Sequence, residues 1–165
     1  MTVVSAAGVV LVSAEPAIAA DSCYGDYCSG RDPSTTGTGG NPCQNGARTV
    51  SSTEVWIYYS TPGTGTGYEW RNVGTLELRW SDRCQTNWAR LTTNQWSYIE
   101  RIRISQENTG YIQEKWTQGY WVDTEPGLFW TGMIYSPVKK TQATVICRAG
   151  MFTSGCGQWI GTAWV

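Results

Sequence analysis

Six cysteines and no histidine in a chain of 165 residues constrain the fold more than any other feature. An even Cys count in so short a chain reads as a disulfide framework, and disulfides persist only in an oxidising compartment. A Cys-only zinc site needs two paired knuckles, and the sequence offers at most one short spacing, Cys23 to Cys28. Without His there is no Ser-His-Asp triad, no Cys-His pair and no His-ligated metal. A disulfide-bonded Cys is not a nucleophile either. The expectation is three disulfides and neither metal nor cofactor. Cys147 and Cys156 flank the short stretch RAGMFTSG and are expected to pair with each other. Cys23, Cys28, Cys43 and Cys84 are expected to bond among themselves, in a connectivity the spacing leaves open.

The aromatic balance is unusual, with ten Trp and nine Tyr against two Phe, and only 15% of residues are charged. Together with abundant Gly, Thr and Ser this favours strands and turns over helices. A net charge of −1 with no basic block lacks the electrostatic footprint of a nucleic-acid binder. No apolar run is long and well flanked enough for a membrane span in the mature chain. The length suits one domain.

Three segments follow. Residues 1–19 carry a short apolar run and the small-residue pattern Ala17-Ile18-Ala19, which is expected to be a signal peptide although it lacks a positive start. A buried strand is the alternative there, disfavoured by Glu15-Pro16. Residues 20–46 hold three Cys among Gly, Ser, Thr and Pro. They are expected to form an extended N-terminal arm held by disulfides, since that composition cannot build regular structure alone. Residues 47–165 are expected to form the β-domain, an all-β sandwich or barrel, from short strands at regular spacing. The strands are read at 47–60, 75–91 (a hairpin-like central unit), 95–105, 111–122, 128–136, 141–149 and 158–165. In the central unit Leu76, Leu78 and Trp80 alternate with Glu77 and Arg79, so one face is apolar. Trp88 is expected to face the same core. In 95–105, Tyr98, Glu100, Ile102 and Ile104 should share one face, and Ile99, Arg101, Arg103 and Ser105 the other. Gly63-Thr64-Gly65 lacks the Lys-Ser/Thr of a phosphate loop and is read as a plain loop.

Candidate chemistry is sparse. Two carboxylates across a cleft suffice for glycoside hydrolysis. Glu69, Glu77, Asp82, Asp123 and Glu125 are available, but no pair has a motif around it, and scattered surface carboxylates are the plainer explanation. Trp56, Trp70, Trp116, Trp121 and Trp130 lie in or beside loops and could stack on sugar rings, but core and rim aromatics of a small sandwich are the favoured explanation. Arg101 and Arg103, near Arg90, could form a cationic strip or a solvated sheet face. In the arm, Tyr24 and Tyr27 lie inside the Cys23 to Cys28 interval. Tyr24, Gly25, Asp26, Tyr27, Arg31 and Asp32 are expected to contact a partner, because Tyr combines contact area with a hydroxyl at low entropic cost. An extended terminus can add a strand to a partner. Alternatively the arm folds back and caps the domain's own sheet edge.

CYGDYCSGRDPSTTG at 23–37, TLELRWSDRCQTNWARL at 75–91 and MIYSPVKKTQA at 133–143 resemble a family of small secreted actinobacterial domains of unknown function. The resemblance covers most of the mature chain. One departure is that Thr38 follows Gly37 where the family carries Cys, and Cys43 arrives later. The resemblance implies secretion into the extracellular space, a disulfide-tied β-domain and no assigned chemistry. Some proteins of this kind serve as adaptors in umbrella-shaped antibacterial toxin particles. That implies other secreted proteins as partners, such as a lectin-like or repeat-containing toxin subunit.

The leading expectation is thus a secreted, non-enzymatic interaction or adaptor domain acting through its arm. A carbohydrate- or cell-wall-binding module, a protease inhibitor presenting a braced loop, and a small carboxylate hydrolase follow in that order.

Overall fold

In the computed structural model the structure describes residues 21–60, 67–95, 97, 99–117, 125–147 and 160–165. The expected signal peptide, the Gly63-Thr64-Gly65 loop, Tyr98, Trp121, Asp123 and Cys156 lie outside the described residues.

The arm contributes three very short strands, β1 (Asp21–Ser22), β2 (Thr36–Thr38) and β3 (Asn41–Pro42), which form a small sheet of their own. The domain begins with β4 (Arg48–Ser60), β5 (Tyr68–Ser81) and β6 (Thr86–Thr93), an antiparallel meander. A second sheet is started by β7 (Ile99–Gln106) and β8 (Ile112–Trp116). The chain then returns to the first sheet with β9 (Gly127–Trp130) and β10 (Ile134–Tyr135), which pair with successive parts of β6. Finally β11 (Thr141–Cys147) pairs with β7, and β12 (Ile160–Gly161) with β11. The all-β fold expected from the sequence, as a sandwich or barrel, is observed, and its two main sheets remain separate.

Alternation places the core. Cross-strand partners share a face, so the pairs Leu76–Leu91 and Leu78–Ala89 direct four apolar side chains inward. With Val55, Ile57 and Val73 they meet Ile99, Ile102, Ile104, Ala143 and Val145 of the second sheet in one buried cluster. Each buried Val, Leu or Ile among them contributes about 1.5–3 kcal/mol by leaving water. A turn at Glu107-Asn108-Thr109-Gly110 joins β7 to β8, and Asn108 takes the left-handed conformation (φ 58) that Asn tolerates best after Gly.

Three details differ from simple alternation. In β7, Ile99 is buried with Ile102 and Ile104 rather than facing away from them. The register runs from Arg101↔Ile146 to Ile99↔Cys147, so Glu100 is the extra residue of a β-bulge and reverses the parity. The expected strand at 128–136 is split in two. At the break the Ala89 amide donates to Thr131 Oγ1 (3.1 Å), while the Thr131 amide donates to the Ala89 carbonyl (3.0 Å). Trp88 is buried, as expected, but not against the core of Leu76 and Leu78. It pairs with Arg79 and therefore stands on the opposite face of the first sheet, among Cys23, Cys28, Cys43, Cys84 and Met133. That outer face is dry at Trp88 because the arm lies on it.

Candidate functional site

The arm is tied down at both the backbone and the side chains. Cys23–Cys28 closes a small ring, and Cys43–Cys84 links the arm to the turn between β5 and β6. Cys147 is also disulfide-bonded, and its expected partner Cys156 is not among the described residues. Cys28, Cys43 and Cys84 are wholly buried, and with Trp88 and Met133 they form a second apolar cluster. The arm also runs along the outer side of residues 133–135. The Gly30 amide donates to the Met133 carbonyl (2.8 Å), the Met133 amide to the Arg31 carbonyl (2.9 Å), and the Tyr135 amide to Ser29 Oγ (3.0 Å). These bonds satisfy a strand edge that would otherwise stay open. Of the two expected dispositions of the arm, folding back over the domain's own edge is the one observed for residues 21–46.

The close approach depends on Gly132. A Cβ there would stand 2.9 Å from the Gly30 carbonyl oxygen and 3.0 Å from Gln113 Oε1, so a side chain would push the arm away.

What the docked arm turns outward is the Cys23–Cys28 ring. Its interior is a 3-10 turn, Gly25–Cys28, with Gly25 in the left-handed region (φ +60). Tyr24 is 65% and Tyr27 66% exposed, high values for such large side chains. The Arg31 guanidinium lies 4.0 Å over the Tyr27 ring. Ser29 Oγ, the acceptor for Tyr135, donates in turn to the Asp26 carboxylate (3.1 Å). A groove of about 480 Å³ runs beside the ring, lined by Asp26, Ser29, Gln106, Thr109, Tyr111 and Tyr135. Tyr24, Gly25, Asp26, Tyr27 and Arg31 are therefore gathered at one corner.

Asp32 points elsewhere. Its Oδ1 accepts from the Ser34 amide (2.7 Å), the Ser34 hydroxyl (2.6 Å) and the Trp130 indole N–H (3.0 Å). Burial pushes the Asp32 carboxyl up, but the bonds from Ser34 and Trp130 and the charge of Lys115 outweigh it and hold it below its ordinary range. Asp32 and Trp130 line a cleft of about 360 Å³ that also includes Gly30, Lys115, Phe129 and Gly132. Trp130 borders a second hollow of about 160 Å³ as well, beside Arg79 and Arg90.

The other sequence candidates are dispersed. Trp56 and Trp70 are exposed on the β4–β5 hairpin. The Trp56 indole donates to Glu54 (2.9 Å), and Trp70 leans against Tyr58 with ring centroids 5.0 Å apart. Trp116 is exposed with Arg101 over it (4.8 Å). Arg90, Arg101 and Arg103 do not form a cationic strip. Arg90 stands on the first sheet and bonds Glu77 (2.6 Å), whereas Arg101 and Arg103 stand on the second and share Glu114. Among the carboxylates considered for hydrolysis, Glu77 is bound by Arg90 and Thr49, Asp82 by Trp80 and Arg48, and Glu69 by Arg71, while Glu125 is exposed. Sequence reasoning missed Lys115, Gly132, Tyr111 and Tyr135. Gly132 alone carried a local signal, a Gly inside a strand pattern, which marks a bulge or a close backbone approach.

Comparison with protein families finds a match over residues 26–145 to the model described as Protein of unknown function (DUF2690). The matched span begins inside the Cys23–Cys28 ring, at Asp26, and ends in β11, so it takes in Tyr27 and the cleft but not Cys23, Tyr24 or Gly25. No curated protein and no solved structure matches the chain.

Proposed function

The chain belongs to the DUF2690 family, whose function is unknown, and from that premise we propose that it is a secreted, non-enzymatic interaction domain that binds a protein partner through its disulfide-closed ring. The observation that carries this reading is the pair of exposed tyrosines, Tyr24 and Tyr27, on a ring braced from behind by a buried disulfide cluster. A free terminus loses conformational entropy when it binds. Here much of that ordering has already occurred on folding. The turn is closed covalently, and Ser29 and Gly30 are bonded to the segment carrying β10. Tyrosine is enriched among residues that dominate interfaces. The adjacent groove offers hydroxyl, amide and carboxylate groups from Tyr111, Gln106 and Asp26 to a partner's polar rim.

This reading keeps the partner-binding residues Tyr24, Gly25, Asp26, Tyr27 and Arg31 but changes how they act. They recognise the partner as a rigid projection rather than as a strand inserted into it. The disulfide framework supports secretion, since such bonds are rare in a reducing compartment. The resemblance to secreted actinobacterial domains supplies the partner class, other extracellular proteins such as the subunits of an antibacterial toxin particle.

The test replaces both tyrosines, Tyr24→Ser and Tyr27→Ser, in the natively expressed protein. Substitution at exposed sites should leave stability within about 0.5 kcal/mol. Proteins that co-purify with the wild type should be lost from the double variant. Undiminished recovery of those proteins would eliminate the ring as the recognition element.

A further inference from the structure

The cleft between the arm and β9 is not used by the ring, and its chemistry is of a different kind. We infer that this cleft is a carbohydrate-binding site, in which a neutral sugar ring lies against Trp130 while its hydroxyls bridge Asp32 and Lys115.

The argument rests first on how Asp32 is held. All three of its hydrogen bonds fall on Oδ1, from the Ser34 amide, the Ser34 hydroxyl and the Trp130 indole. Its Oδ2 makes no hydrogen bond among the described residues. The carboxylate is fixed by one oxygen and presents the other. Lys115, on the opposite lip, likewise makes no hydrogen bond or ion pair among the described residues. One fixed acceptor and one donor without a hydrogen bond among the described residues thus line the same space. A polyol hydroxyl pair can satisfy both, because each hydroxyl both donates and accepts.

Second, Trp130 and Leu128, which share one face of β9, stand at the wall of the cleft, while Phe129 between them turns to the core. An aromatic face is electron-rich and attracts the weakly positive C–H groups on one face of a pyranose. Trp130 cannot swing away without breaking its bond to Asp32, so the same hydrogen bond orients both recognition elements. Third, the volume of about 360 Å³ lies at the low end of small-molecule sites, which run from about 300 to 1,000 Å³. It suits one or two sugar rings and no large cofactor.

The paired opposite charges argue against a simple ion. An anion would meet Asp32 and a cation would meet Lys115. A neutral ligand rich in hydroxyls satisfies both groups without an unpaired charge.

The cleft exists only because the arm docks. Gly30 and Asp32 come from the arm, Lys115 from β8, and residues 128–132 from the segment that follows the bend into β9. The site is therefore distinct in residues from the tyrosine ring, although both depend on the same docked arm.

Glucose, galactose, N-acetylglucosamine and their β-linked oligomers are to be titrated into the full chain, followed by tryptophan fluorescence and calorimetry. At least one should saturate, in the millimolar range for a site with so few polar contacts. Trp130→Ala and Asp32→Asn should each weaken that sugar at least tenfold. Trp56→Ala and the Tyr24/Tyr27 double variant should titrate as the wild type does. Asp32→Asn keeps the side-chain shape and guards against an unfolded Trp130→Ala. Failure of every sugar to saturate overturns the inference. So does binding that survives both Trp130→Ala and Asp32→Asn, or saturation by a zwitterionic amino acid such as free phenylalanine in place of any sugar.

Discussion

Removing Cys43–Cys84 should destabilise the protein about twice as much as removing Cys23–Cys28, and the reason lies in chain length rather than in contacts. A disulfide restricts the unfolded chain, and the lost entropy grows with the logarithm of the loop it closes. Cys43 and Cys84 are 41 residues apart, whereas Cys23 and Cys28 are 5 apart. The loop-entropy relation then assigns about 4 kcal/mol to the first bond and about 2 kcal/mol to the second at room temperature. Both bonds are almost fully buried, so replacement by Ala leaves comparable voids and the voids largely cancel in the comparison. The assay is equilibrium urea unfolding of Cys43→Ala/Cys84→Ala beside Cys23→Ala/Cys28→Ala, without reductant. With a urea slope of about 2 kcal/mol per molar, the midpoints should differ by about 1 M. The larger loss should be accompanied by a red shift of tryptophan emission, because Trp88 packs against the cluster that Cys43 and Cys84 anchor. Equal midpoints, or a lower midpoint for the Cys23/Cys28 variant, would refute the entropic reasoning. They would show instead that the small ring holds the arm on the domain.

Two further outcomes are expected. Trp88→Ala should cost about 3–5 kcal/mol, read as a fall in melting temperature, since Trp88 is 2% exposed and fills the space between sheet and arm; an unchanged melting temperature would mean that the arm does not cover this face in solution. Stability should fall on the acid side. Burial raises the Glu77 carboxyl, but hydrogen bonds from Arg90 and Thr49 and the charges of Arg90 and Arg79 bring it below its ordinary range. A folded pKa below the unfolded one adds stability above the unfolded value, and that stability is lost as the pH falls through the folded value. The melting temperature should therefore decline below about pH 4, and Glu77→Gln should lower it at neutral pH while flattening the acid slope. An acid slope as steep in Glu77→Gln as in the wild type would remove Glu77 from this role.

The fold class was legible because it depends on quantities that a linear sequence carries. Leu76 and Leu78 alternate with charged residues, and that period of two already specifies a strand with one dry face. Asn108 and Gly110 announce their turn because few residues tolerate the backbone they need. The Cys count implied disulfides, although the pairing of Cys43 with Cys84 was not readable, since sequence spacing does not reveal which loops approach in space. The position of Trp88 was misread for a related reason. Its burial was expected but its face was not: Trp88 pairs with Arg79 on the side away from Leu76 and Leu78, and only the docked arm makes that second face of β6 dry. The parity of β7 was lost at Glu100, because a bulge is decided by the partner strand and not by the strand itself.

The functional corner shows the same division. By itself the sequence determined that the arm needs disulfides and that Tyr24 and Tyr27 sit between two of its cysteines. These are properties of composition and short-range spacing. Only the tertiary structure decided that the arm lies back on the domain, that both tyrosines project from it, and that Asp32 meets Trp130, 98 positions further along the chain. Such contacts arise from the packing of distant segments against one surface, here allowed by the missing side chain at Gly132. Local propensity contains no information about which distant segment will arrive.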